Sequence, residues 1–281
     1  MVSNFVEINN IPLEELVVMA GLRPKRFLRM DNPLIGEIPD LKLYLPYKTQ
    51  LIQSAIDVLQ MFKGEPGTIA VLCTGAEPLG NAIRAVQIYS DNERWQQIDI
   101  KYIYANKTIV GNPNLIGPVS LQQLRRVIEQ NYVSPGTNTY AQILSYLREL
   151  KVFNGKHVVF ADTGAYASVP DLIYKLLAES NDESIKKLEA FLIFSEFSKY
   201  GTREIPLKIS RAGKAPTPDC FVEFVMYLDH NYPHSRPGPS KLIKNGRWVP
   251  NTDIYHGQQL EMYLAARFII ENSAKEYFKG R

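Results

Sequence analysis

The sequence predicts an α/β protein: a doubly wound, mainly parallel sheet with a helical N-terminal arm and a C-terminal cap. Three observations lead there. Short continuous apolar runs at 68–73 and 158–161 stop abruptly at Thr74-Gly75 and at Asp162-Thr163-Gly164, as strands buried on both faces do. A helical spacing of apolar residues follows each run, and strand and helix patterns alternate from Thr68 to Phe194, which is the signature of βαβ units. Hydrophobic residues at 45% and charged residues at 22% are ordinary for a globular chain.

The arm comes first. Asn10 is placed to cap a helix over Pro12 to Ala20, with proline in a tolerated first-turn position. Arg23, Lys25, Arg26 and Arg29 form a basic cluster around Phe27. Pro24, Pro33, Pro39 and Pro46 punctuate an irregular stretch. The cluster reads first as a solvated surface and second as a phosphate or nucleic-acid patch. Pro46 opens a stronger helix. Leu51, Ile52, Ala55, Ile56, Leu59 and Phe62 fall at three-and-four spacing, and Gly64 stops it.

The sheet core follows. Thr68 to Cys73 is the first strand, and a helix from Pro78 runs through Leu79, Ile83, Val86 and Ile88. Ile98 to Tyr104 alternates as a second strand. A loop at Asn106 to Pro118 precedes a helix from Ser120 to Tyr132, with Val119 as its hydrophobic staple. A further helix runs from Asn138 or Thr139 to Val152. The strand at His157 leads into a helix from Val169 to Glu179, with Leu172, Ile173, Leu176 and Leu177 inward. A polar stretch, Asn181 to Lys187, leads to a strand at Glu189 to Phe194.

The last third reads as a cap. Ser195 to Pro218 is a long irregular connection, Thr217 to Asp229 a helix, and His230 to Pro239 a loop. Asn245-Gly246 between Lys241–Lys244 and Arg247–Val249 is a hairpin signal. An amphipathic helix spans about Asp253 to Tyr277. The chain is thus expected to be one α/β domain over 1–281: arm 1–66, sheet core 67–195 and cap 196–281.

Composition bounds the function. A net charge of +3 makes no case for nucleic acid. Cys73 and Cys220 have no metal or redox spacing, so a reducing compartment is the default and a disulfide framework is excluded. The first residues carry Glu7, Glu14 and Glu15 rather than a basic start and an apolar run, against a signal peptide. No apolar segment reaches the roughly 20 residues that span a bilayer. A cytoplasmic protein without membrane contact is expected.

Ligand chemistry is concentrated in two strand-to-helix turns, Thr74 to Leu79 and Asp162 to Ser168. Glycine permits a sharp bend there, and the amides of a helix start favour phosphate or carboxylate. Thr163 and Ser168 offer hydroxyls, and Asp162 can hold a ribose hydroxyl or Mg2+. Arg236 and Lys241, in or beside the constrained loop 234–241, can supply cations to an anion. Asp162-Thr163-Gly164 also matches an aspartic-protease tripeptide. That chemistry needs a second carboxylate, and the other Thr-Gly is preceded by Cys73. His230 and His234 lie in a proline-bounded loop with no evident set of four zinc ligands. No Walker loop, nucleotide GxGxxG or Ser-His-Asp signature is present.

These two turns, in this order, resemble the type I phosphoribosyltransferase fold over Thr68 to Phe194. Residues 73–80 stand where that family binds pyrophosphate. Ile98 to Pro118 corresponds to its second strand and mobile loop. Residues 155–164 with Ser168 correspond to its loop for the 5-phosphate of phosphoribosyl pyrophosphate. The resemblance implies that Thr74, Gly75 and Ala76 face pyrophosphate, that Asp162 binds ribose or Mg2+, and that Thr163, Gly164 and Ser168 hold a phosphate. Where the family carries paired acids, this chain has Asp162 followed by Thr163. Its phosphate loop is shorter, and Thr74 replaces a basic residue. Two functions are therefore expected. One is binding of a phosphorylated ribosyl or nucleotide-like ligand, with phosphoribosyl transfer as the reaction if there is one. The other is a non-catalytic regulatory or interaction protein that keeps the fold and associates with a partner or with itself. No catalytic residue is assigned.

Overall fold

Strand β1 (Gly67–Leu72) is buried along its whole length. The computed structural model describes residues 11–31, 48–72, 76–103, 147–154, 157–163, 167–179, 187–193, 204–210, 241–242, 248–249 and 258–279. The helices expected at 120–132 and 217–229, most of that expected at 138–152, and the loops at 106–118 and 230–239 lie outside these residues. Before β1 come helices α1 (Leu13–Met19), α2 (Pro24–Phe27) and α3 (Lys48–Gln60). After it come α4 (Glu77–Tyr89), α5 (Glu93–Gln96), β2 (Ile98–Ile103) and a 3-10 turn (Val152–Asn154). Next are β3 (His157–Asp162), α6 (Ser168–Glu179), β4 (Lys187–Leu192) and β5 (Leu207–Ile209). The hairpin strands β6 (Lys241–Leu242) and β7 (Trp248–Val249) precede the long helix α7 (Gln258–Lys279).

Five strands form one sheet in the order β2-β1-β3-β4-β5. Every pairing in it is parallel. Alternate strand residues feed two cores. Ile69, Val71, Val159, Ala161 and Phe191 pack with α1, α3, α4 and α7. Ala70, Leu72, Val158, Phe160 and Ala190 pack with Ile173 and Leu177 of α6 and with Leu147, Val152 and Phe153. Helices on both faces explain why β1 and β3 carry continuous apolar runs rather than alternation.

Helix α3 buries Leu51, Ile52, Ala55, Ile56 and Leu59, and Phe62 just beyond it is buried too, as its spacing predicts. It ends where Lys63 and Gly64 take positive φ, 53° and 85°, a conformation that glycine adopts without strain. Helix α4 lies unusually close to the sheet at Gly80. A Cβ there would sit 2.7 Å from Tyr102 Cε1 and 2.9 Å from Val71 Cγ1. Tyr102 cannot easily yield, since its hydroxyl donates to Asn81 Oδ1 at 3.1 Å. Gly80→Ala should therefore destabilise despite alanine's better helix propensity. A net loss of roughly 1–2 kcal/mol, read as a lower urea midpoint at unchanged slope, is expected.

Several expectations are corrected. The basic arm is not wholly irregular: Pro24 starts the single turn α2, and Phe27 is buried. The N-cap of α1 is Pro12, without a side-chain cap, rather than Asn10. Ile88 is 57% exposed, because it falls about 200° round α4 from the buried Val86. Strand β4 begins at Lys187, two residues before the expected Glu189. Its charged start is tolerated because it pairs with β3. Glu189 Oε2 lies 2.7 Å from both His157 Nε2 and Lys187 Nζ. Burial holds the His157 imidazole below its ordinary pKa against the pull of Glu189. Burial pushes Glu189 the other way, but hydrogen bonds from Lys187 and His157 outweigh it and keep the carboxyl low.

The stretch 195–218 contains β5, which sequence periodicity does not reveal. Ala190 donates to the Pro206 carbonyl and Ser210 to the Leu192 carbonyl, both at 2.8 Å. The buried hydroxyls of Ser54 and Ser210 meet at 2.8 Å, tying the strand's end to α3. The expected hairpin is present, with Lys241 opposite Val249 and Leu242 opposite Trp248. Helix α7 packs against α4, α3 and α1 in the helical layer of one face. Lys48 Nζ to Glu276 Oε2 at 2.6 Å and Tyr277 Oη to Gln53 Oε1 at 3.1 Å join it to α3.

Candidate functional site

The chain leaves β1 for β2 on one side and later returns as β3 on the other side of β1. Helix α4 packs on one face of the sheet and α6 on the opposite face. In this 2-1-3-4-5 order the direction of winding reverses between β1 and β3, the point outside whose strand ends open α/β sheets generally bind ligands. Val71 pairs with Ala161, so the two strands finish side by side. Leu72 and Asp162, the last residues of β1 and β3, both lie at that point.

The individual site residues fall as follows. Asp162 closes β3 and is half-buried. Its carbonyl accepts from the Ile193 amide at 3.2 Å, joining it to the end of β4. Thr163 is buried at 2% exposure. Ser168 is the first residue of α6. Ala76 is fully buried, and its amide donates to the Leu72 carbonyl at 2.9 Å. That N–H is thus engaged with the end of β1. Thr74, Gly75, Gly164 and Arg236 lie outside the described residues. Lys241 is in β6, which belongs to the separate two-stranded sheet.

Ala167, just before α6, adopts φ +47°. A left-handed alanine costs on the order of 1 kcal/mol, and such strain gathers where surrounding structure must hold a loop for binding. The Ala167 carbonyl accepts from the Asp171 amide at 3.0 Å, closing the first turn of α6.

Sequence reading overlooked two buried polar groups. Asp171, fully buried in the first turn of α6, accepts through Oδ1 from the amides of Glu204 at 2.8 Å and Ile205 at 3.0 Å. It clamps the connection between β4 and β5 to the helix that follows β3. Arg267, on α7, is 2% exposed. It donates from Nη2 to the Ile11 carbonyl at 2.7 Å and from Nε to Glu271 Oε1 at 3.0 Å. Burial opposes its charge, but Tyr263 and Glu271 outweigh that and hold its pKa above the ordinary value. Burial pushes the fully enclosed Tyr263 phenol well above its usual range, and it also raises the Glu271 carboxyl. The signal for both residues was an acid or a base inside an otherwise apolar helical pattern. A cavity of about 450 Å³ beside Arg267, bounded by Leu13, Arg84, Tyr89 and Phe268, lies in this helical layer.

Among the described residues no three His, Cys, Asp or Glu side chains gather as a metal site, and no helix is long and apolar enough to cross a membrane. Compared with protein-family models and with curated proteins, the chain matches none.

Proposed function

We propose that the protein binds a phosphorylated ribosyl or nucleotide-like ligand in the crevice between the carboxyl ends of β1 and β3. The observation that carries this reading is the adjacency of the carboxyl ends of β1 and β3 at the point where the sheet reverses its winding. The strained Ala167 and the clamped start of α6 support it, because both fix the backbone at the helix start that would face the ligand. In this reading the amides at the start of α6 meet a phosphate. Asp162 meets a ribose hydroxyl or Mg2+. One carboxylate is enough for that ion when substrate oxygens complete its shell. If the protein is an enzyme, the reaction is phosphoribosyl or related glycosyl transfer.

Calorimetric titration with phosphoribosyl pyrophosphate and Mg2+ tests the proposal. Saturable binding is expected, weakened roughly 10- to 100-fold by Asp162→Ala, as for loss of a hydrogen bond to a charged group. Absence of heat at millimolar ligand, or equal affinity in the variant, would sink it. A second reading, a regulatory protein that keeps the fold without catalysis, is favoured by the lone acid at Asp162 and by the engaged amide of Ala76. It predicts binding without turnover for any nucleobase acceptor.

A further inference from the structure

The cavity beside Arg267 is walled by three helices. Phe268, Glu271, Asn272 and Lys275 fall at three-and-four spacing and make one stripe of α7 along it. Arg84 and Ile88, one turn apart near the end of α4, form a second wall, and Leu13 and Glu14 come from the start of α1. Exposure rises along α7 from Arg267, at 2%, through the half-buried Phe268 and Glu271 to the exposed Lys275. Ile88 and Glu14 are exposed as well. The cavity therefore has a closed inner end at Arg267 and an open mouth at Lys275, Ile88 and Glu14. Its volume of about 450 Å³ is that of a small-molecule pocket.

The charges that line it divide into two sets. At the inner end Arg267 and Glu271 neutralise each other at 3.0 Å, and Arg84 pulls the Glu271 carboxyl in the same direction. At the mouth stand Glu14 and Lys275, of opposite sign. Among the described residues neither of them forms an ion pair, with each other or with another group. One anion and one cation thus face the same space while held apart. Much of the remaining wall is apolar, from Leu13 and Leu28 and from the rings of Tyr89 and Phe268. Burial, with Glu271 and Glu14 nearby, holds the Tyr89 phenol above its ordinary pKa, so its hydroxyl stays a donor at neutral pH.

We infer that this cavity binds a free amino acid with an apolar side chain. A zwitterion carries one ammonium and one carboxylate, the complement of Glu14 and Lys275, and its side chain fits the apolar wall. A plain amine or a plain carboxylate leaves one of the two mouth charges unanswered. The site is separate from the carboxyl ends of β1 and β3. Helix α4 leaves the end of β1 and returns towards the start of β2, and the cavity lies against its last turns. That is the amino end of the parallel strands.

Calorimetric titration of the full chain with L-phenylalanine, L-leucine, 3-phenylpropionate and phenethylamine tests this, since the last two each lack one charge of phenylalanine. Saturable binding of at least one of the two amino acids is expected at about millimolar ligand or below. Both single-charge analogues should bind roughly tenfold or more weakly than phenylalanine. Glu14→Gln should weaken phenylalanine about tenfold and leave phenylpropionate unchanged, whereas Lys275→Gln should weaken phenylalanine about tenfold and leave phenethylamine unchanged. Both positions are exposed, and unchanged circular dichroism and melting temperature will confirm that the variants fold. Absence of saturable heat from both amino acids at about 10 mM ligand overturns the inference. So does an analogue that binds as tightly as phenylalanine, or a pair of variants that respond alike to every ligand.

Discussion

Arg267→Leu is expected to lower stability by about 3–5 kcal/mol, because it strands a partner charge inside the protein. The guanidinium is 2% exposed and holds both the Glu271 carboxylate and the Ile11 carbonyl. Without it, Glu271 must either stay charged beside apolar side chains or take up a proton. Its pKa, already raised by burial, should rise further, so the loss should grow as pH increases. Calorimetry should show a melting temperature lower by on the order of 10 °C. Adding Glu271→Leu to the first change should recover part of the loss, since an apolar pair needs no compensation. If the single variant melts like the parent, the pair contributes nothing to folding.

Asp171→Ala should cost about 2–4 kcal/mol, because two backbone amides lose one acceptor together. The carboxylate is fully buried and accepts from Glu204 and Ile205. Ile205 is itself in the core on that side of the sheet, so its amide has no easy route to water. Asp171→Asn retains an acceptor oxygen and should lose much less. Hydrogen exchange separates a local from a global effect. The amides of residues 204 and 205 should lose protection in the alanine variant before the strands β1 and β3 do. Equal protection at 204 and 205 in both variants would mean that the clamp is not what holds this connection.

The strands best recognised in the sequence were those whose burial is a property of their own residues. β1 and β3 are apolar on both faces, so composition alone marks them. β4 was displaced by two residues because Lys187 and Glu189 look like a loop until His157 is placed beside them. β5 was missed because Leu207–Ile209 is a short edge strand held by backbone bonds and by Ser210. None of these has a period. The carboxyl ends of β1 and β3 lie side by side, but that adjacency depends on strand order, which no local pattern encodes. Arg267 and Asp171 escaped for the opposite reason. A charge on a helix is ordinarily solvated, and only its tertiary partners reveal that it is buried.

Helix α7 has a consequence for how this protein is made. Tyr263, Leu264, Ile269 and Ile270 complete the core that begins with Leu13, Leu51 and Ile69. A ribosome therefore releases the five sheet strands while the flanks of α3 and α4 are still bare. The layer closes only when a late helix docks onto partners synthesised long before it. Such closure joins residues far apart along the chain, as the bond from Arg267 to Ile11 does, and contacts of that kind form slowly. The nascent protein spends that interval with one face of its sheet incompletely covered, which is the state in which it most needs protection from its neighbours.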